Sequence, residues 1–359
     1  MRVMITLENI QMDGVKRAAT VLGNELIKNS NIDLCYYSLS DSEIFFKLEA
    51  PLIIANPPID HDHANFFGSS PYDVYNNQIN DLILQIRTLR IDTVILSAGL
   101  LTSFSPLIKE QCSNTRLIGW MHNNYNTYIS DYYYNMREEF IEGLAAVDQI
   151  IVLTDTDYEF YKKHNQNIKK IYNPLTLTPE CSDLSQPIIA FTGRIAIEHK
   201  GIDLLLQVAQ SLTFGWKISI AGTGESQEIQ RFKRLCVELN VEDKIIYRGG
   251  LKDTELCNHY QTASIFVSTS RWEGMPLVIG EAMAAGLPVV AMSNTGSDEF
   301  LQKGQYGFLT GTADINEFCK CLNMLIKKPT LRKYFSNQSK IRASAFHRHK
   351  IVNDWIPIL

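Results

Sequence analysis

The sequence predicts an α/β protein made of two doubly wound parallel sheets. Three observations carry this. Short β-prone apolar runs recur along the chain, apolar helical faces lie between several of them, and a polar stretch near the middle splits the runs into two series. The first series comprises residues 3–7, 34–37, 93–97, 117–121 and 149–153. Val15, Ala18, Ala19, Leu22 and Leu26 form one interleaved helical face, and Leu82, Ile83, Ile86 and Leu89 form another. Residues 38–75, rich in Pro, Asn, Asp and aromatics, read as an irregular insertion. Asn173-Pro174 then opens a polar run to Gln186, which marks a hinge between a domain over 1–173 and a second over 174–339. Strands at 188–192, 217–221, 244–247, 265–268 and 289–292 follow.

A chain of 359 residues suits two such domains, each with its own core. Its composition, 45% hydrophobic and 20% charged, is that of a globular protein, and the net charge of −5 argues against bulk nucleic-acid binding. The seven cysteines are scattered, with only Cys319 and Cys321 close together, so a disulfide framework or zinc site is not expected and a reducing cytosol is. Residues 1–7 resemble the start of a leader, but Glu8 and Asp13 follow at once and a first strand is the better reading. No apolar run reaches membrane-spanning length, so an integral membrane protein is not expected.

The most informative segment runs Ser268-Thr269-Ser270-Arg271-Trp272-Glu273-Gly274-Met275-Pro276-Leu277-Val278-Ile279-Gly280-Glu281, then Ala282 to Gly286-Leu287-Pro288. A strand ends at a polar turn, and Pro276 suits the first position of a helix, where its missing N–H costs nothing. Gly286 ends that helix and Pro288 prevents its resumption. The helix start offers backbone N–H groups around Met275, Leu277 and Val278, a ready anion site. Glu273 and Glu281, with seven residues between them, place one carboxylate before the helix and one further along it. Carboxylates accept hydrogen bonds from vicinal hydroxyls, which ribose and hexose both present.

With its flanking Gly274, Pro276 and Gly286-Leu287-Pro288, the segment resembles the signature of retaining family 4 glycosyltransferases, whose GT-B fold sets two Rossmann-like domains facing a cleft. The likeness spans most of residues 187–311 and is weaker in the N-terminal half. It implies that Glu273 touches the transferred sugar and Glu281 the nucleotide ribose. Thr192-Gly193-Arg194 to Lys200-Gly201 follows a strand and opens a helix; by resemblance Arg194 and Lys200 are the cations that stabilise the departing diphosphate. The turn Gly222-Thr223-Gly224 borders the nucleotide in that family, and Arg248-Gly249-Gly250-Leu251 matches the loop that contacts the base, so Gly249 and Leu251 join the expected donor site.

In the N-terminal half, Gly14 lies in the loop after the first strand, where the family often carries two adjacent glycines that approach the donor phosphate; here the pair is Asp13-Gly14, and the resemblance implies that contact for Gly14. His122 follows the strand at 117–121, at the carboxyl edge of the sheet, and the resemblance makes it the histidine that faces the donor sugar. Tyr125, Tyr128 and Tyr132 to Tyr134 suit either stacking on acceptor rings or interdomain packing. His61-Asp62-His63 could suggest a metal but has no convergent partners in the sequence, and none is expected.

The implied reaction moves a hexose or N-acetylhexosamine from a nucleotide diphosphate, UDP in the first instance, to a hydroxyl of a glycan, polysaccharide or lipid-linked acceptor, with retention and without a metal. The N-terminal domain would take the acceptor, with a last helix over 340–359 packing back on it through Trp355; the second would take the nucleotide sugar. A cytoplasmic enzyme is expected. Residues 325–353 hold eight lysines or arginines and no acid, which reads either as a solvated helix face or as a contact with the anionic inner face of the membrane. Two other readings stay open: a GT-B sugar-nucleotide epimerase, and a non-catalytic partner subunit that binds glycan. An NAD-dependent oxidoreductase fits least, because the first strand lacks the glycine fingerprint.

Overall fold

The computed structural model describes residues 1–60, 69–213 and 215–359. Two compact units emerge, one of Met1–Pro174 with Arg348–Leu359 and one of Leu175–His347. The first holds strands β1 (Arg2–Leu7), β2 (Asp33–Ser38), β3 (Leu52–Ile54), β4 (Thr93–Ser97), β5 (Arg116–Trp120), β6 (Gln149–Val152) and β7 (Ile168–Lys170). They form one sheet in the order β3-β2-β1-β4-β5-β6-β7, with every pairing parallel. The second unit holds β8 (Ile188–Thr192), β9 (Lys217–Ala221), β10 (Ile245–Gly249), β11 (Ile265–Ser268), β12 (Val289–Met292) and β13 (Phe308–Thr310). Their order is β10-β9-β8-β11-β12-β13, again all parallel.

The strand sequences explain this arrangement. Val94, Ile95 and Leu96 are consecutive and all fully buried, as are Ile265, Phe266 and Val267. Only a sheet covered on both faces buries successive residues, and helical crossovers supply that cover. Each unit is doubly wound, so strand order reverses once: between β1 and β4 in the first and between β8 and β11 in the second. Loops leaving the carboxyl ends of the two strands at such a point diverge and open a crevice for ligands. The segments expected to carry chemistry, after β8 and after β11, leave at this point of the second unit.

The strands of the sequence reading recur within one or two residues, and the sheet also includes short edge strands that the pattern did not resolve. Residues 38–75 are not wholly irregular: β3 pairs with β2, and Pro71–Val74 is helical. His61-Asp62-His63 lies outside the described residues. The last helix, Arg348–Trp355, belongs to the first unit; Trp355 is fully buried with its ring 5.0 Å from that of Trp120, and Arg116 donates to the carbonyl of Ile358. Among the described residues no helix is long and apolar enough to cross a membrane.

Candidate functional site

In the second unit the loops after β8 and β11 are knitted together by their own hydrogen bonds. Arg271 donates through its guanidinium to both carboxylate oxygens of Asp203, at 2.9 and 2.7 Å, and to the carbonyl of Glu198 at 2.7 Å. The Arg271 amide donates to the carbonyl of His199, and the Thr269 hydroxyl to that of Lys200. This bracing presents Lys200 to Glu273, with Nζ 2.5 Å from Oε1. His199 lies flat on Trp272, ring centroids 4.7 Å apart and planes 4° from parallel, with its Nε2 4.0 Å from Oε2 of Glu273.

The electrostatics follow from the packing. Burial alone would raise the Glu273 carboxyl, but the Lys200 cation, with His199 and hydrogen bonds from Lys200 and Ser270, outweighs it and holds the group below its ordinary value of 4.5. Burial and the adjacent Lys200 push His199 down to about 4 despite Glu273, so the ring is neutral at pH 7. Arg194 stands apart: it is exposed, and its guanidinium makes no ion pair or hydrogen bond among the described residues.

Two of the glycines have a mechanical reason. A Cβ on Gly222, whose φ is +153°, would overlap the carbonyl oxygen of Gly193, and one on Gly224 would overlap that of Ile195. Their bareness lets the turn after β9 lie directly against the Arg194 loop, where Gly193 and Ile195 donate to the carbonyls of Ala221 and Thr223. Gly222 in turn donates to the carbonyl of Gly249 at 2.7 Å, which draws the Gly249–Leu251 loop into the same row.

The helix after β11 spans Leu277–Ala284, and Pro276, expected as its first helical residue, is instead its cap, one position earlier, because its ψ of 110° is extended. Met275 and Gly274 are buried behind it, Leu277 and Val278 form its half-exposed first turn, and Gly286 takes the left-handed conformation just past the end, φ +72°. Glu281 is fully buried. Its Oε1 accepts from the hydroxyl of Thr176 and its Oε2 from that of Tyr260 at 2.8 Å. The two glutamates therefore differ: Glu273 is paired with a cation and Glu281 is held by two hydroxyls.

In the first unit Gly14 is exposed and opens the helix Gly14–Leu26. Asp13 caps that helix by accepting from the Lys16 amide at 2.8 Å, so the residue that departs from a double glycine has a local function. The Lys16 ammonium is buried between Glu8, 3.1 Å away, and Asp13. His122 is nine-tenths buried against Trp120, ring centroids 4.2 Å apart, and its Nε2 has no hydrogen-bond partner among the described residues. Burial and the Lys16 cation hold it down to about 3, so it too is neutral. Tyr128 and Tyr133 are buried against Phe140 in the core of this unit, so neither presents a ring for stacking on an acceptor; Tyr134 is exposed.

His199, Trp272, Ser270, Thr176 and Tyr260 were not singled out in the sequence. The first three adjoin residues that were, which was the only signal for them. Among the described residues no cluster of His, Cys, Asp and Glu is arranged to hold a metal.

Residues 180–342 match the family model of the glycosyl transferases group 1. An uncharacterized glycosyltransferase of Haemophilus influenzae is 28% identical over 96% of both chains. The amylovoran biosynthesis glycosyltransferase AmsD of Erwinia amylovora is 24% identical over all of this chain and 99% of its own. Among solved structures, Anabaena Alr3699/HepE in complex with UDP and glucose superposes with a TM-score of 0.83 at 15% identity, covering all of this chain and 99% of its own. The matched segment and the two full-length relatives make the chain similar to group 1 glycosyltransferases, and its two-sheet fold is shared with Alr3699/HepE.

Proposed function

We propose that this protein is a retaining hexosyltransferase that moves a hexose or N-acetylhexosamine from a UDP-sugar to a hydroxyl of a glycan, polysaccharide or lipid-linked acceptor on the cytoplasmic side of the membrane. The observation that carries it is the Lys200–Glu273 pair, braced by Arg271 and Asp203 beside the start of the helix Leu277–Ala284. An ionised carboxylate accepts from sugar hydroxyls, while the first-turn amides and two cations face an anion. Lys200 has three N–H donors and uses one on Glu273, so it retains donors for a diphosphate oxygen. Arg194, without a protein anion of its own, supplies the second charge.

Leaving-group stabilisation by fixed cations needs no metal ion. Glu273 is held by Lys200 and oriented toward hydroxyl recognition, so the favoured route is attack on the leaving-group face, with a donor phosphate oxygen taking the acceptor proton. His122, neutral and with an unpaired Nε2, is the group of the first unit suited to a sugar hydroxyl. Glu281 would hold the ribose, which must then share or replace the hydroxyl of Thr176. UDP is supported by the UDP and glucose bound to Alr3699/HepE, and a polysaccharide acceptor by the name of AmsD.

Thermal-shift titration with UDP, GDP, ADP and their sugars, with and without chelator, tests this reading. Selective stabilisation by UDP and a UDP-sugar, unaffected by chelator, is expected, since a ligand bound only to the folded state raises its stability. Equal response to every nucleotide would overturn the donor assignment.

A further inference from the structure

The basic C-terminal stretch is sorted by the structure into inward and outward charges. No Asp or Glu occurs between Glu317 and Asp354, although the chain as a whole is acidic. Within the second unit the two arginines of this stretch point inward. Arg332 donates to the carbonyls of Leu325 and Ile326 and lies over the Trp216 ring, while Arg342 is buried on the carbonyls of Glu299 and Phe300. Lys320, Lys327, Lys328, Lys333 and Lys340 are all exposed.

The exposed apolar side chains gather in the same place. Among the described residues four large hydrophobics of the second unit are exposed, Val237, Met324, Tyr334 and Ile341, and the last three lie on the helices Ile315–Lys327 and Pro329–Ala343. Three of four on one hairpin is a concentration rather than scatter. At 100° per residue, Lys333, Lys340, Asn337, Ile341 and Tyr334 fall within an arc of roughly 120° on the second helix. The opposite side of that helix packs inward: the Ser339 hydroxyl donates to the carbonyl of Leu287, just past the signature helix.

We infer that the outward side of this helical hairpin, with Lys333, Lys340, Tyr334 and Ile341 on one arc of the second helix and the exposed Lys327 and Lys328 at the turn before it, docks on an anionic phospholipid bilayer. Lysines whose stems lie beside exposed apolar side chains suit the headgroup layer, where the ammonium stays hydrated among phosphates and the apolar groups enter the acyl boundary. Tyrosine is favoured at that depth. An acidic protein partner would be met by the lysines but would leave no reason for the apolar side chains between them. The inference goes beyond the donor reading and does not depend on it.

Flotation of the full chain with phosphatidylcholine vesicles, with and without phosphatidylglycerol, tests the face. Binding is expected only with phosphatidylglycerol and should weaken as salt rises. Replacing Lys327, Lys328, Lys333 and Lys340 together by Gln should reduce it at least a hundredfold, at about fivefold per lysine. Tyr334→Ser with Ile341→Ser should cost about tenfold while leaving the salt dependence in place. Equal binding to both vesicle types, or undiminished binding of the quadruple variant, overturns the inference. Stabilisation by UDP-sugar, measured on the same preparations, shows that each variant is folded. Absence of vesicle binding by the wild type with that response intact refutes the face alone, and absence of the response in a wild type that binds vesicles refutes the donor reading alone.

Discussion

The ammonium of Lys200 lies 2.5 Å from Oε1 of Glu273, joining the loop after β8 to the loop after β11 at the reversal of strand order. Both side chains are nearly enclosed, at 15% and 11% exposure, and each offsets part of the other's desolvation cost.

Glu273→Gln should lower sugar transfer more than a hundredfold. It should also destabilise the fold by about 3 kcal/mol, because a buried ammonium loses its anion. Lys200→Met with Glu273→Gln should recover most of that stability but none of the activity. Urea unfolding and a transfer assay on the single and double variants separate the two effects. The depressed Glu273 carboxyl adds a sign: its contribution is complete above pH 4.5 and is lost as pH falls through the lower folded value.

The sheets and the order of the signature loops were legible because they rest on local patterns: apolar runs, helical spacing, and glycine or proline at turns. The setting of Glu281 was not. Its hydroxyl partners Thr176 and Tyr260 lie 105 and 21 positions away, and no local pattern reports a contact of that range. Gly222 and Gly224 were legible as a turn at a strand end, but the reason for their bareness is the neighbouring backbone of the loop after β8. The basic tail shows the same limit, since charge counting could not separate Arg332 and Arg342, which cap carbonyls, from the lysines that face outward.

Tyr260→Phe removes one of the two hydroxyls that hold the Glu281 carboxylate in a fully buried position. A loss of about 1–3 kcal/mol is expected, measured by denaturant unfolding. If Glu281 also grips the ribose, the same variant should show a smaller thermal shift with UDP. An unchanged shift would leave Tyr260 a purely structural partner.

Stability should fall on mild acidification. His122 titrates near 3, and His199 and His259 near 4, each lowered first by burial, whereas their ordinary value is 6.5. Between pH 6.5 and about 4 the unfolded chain therefore binds more protons than the folded one, and stability decreases as pH drops through that window. The slope is at most about 1.4 kcal/mol per pH unit for each histidine. His259→Asn should flatten the curve; an equally steep profile would show that the ring is not the group responsible.

Gly222→Ala tests the seating of the Arg194 loop. The new methyl would overlap the Gly193 carbonyl oxygen, and φ of +153° is strained for any residue with a Cβ. Both effects act on backbone, which cannot rotate away as a side chain would, so the turn after β9 must withdraw from the loop after β8. The hydrogen bonds from Gly193 to Ala221 and from Ile195 to Thr223 then weaken, and Arg194 loses its fixed position. Transfer should drop at least tenfold with a stability loss of about 2 kcal/mol. The same substitution at Gly215, where φ is +89° but an added Cβ meets nothing within 4 Å among the described residues beyond its chain neighbours, carries strain without overlap. Gly215→Ala should therefore cost some stability and leave transfer unchanged, so the contrast between the two alanines isolates the close approach from the strain.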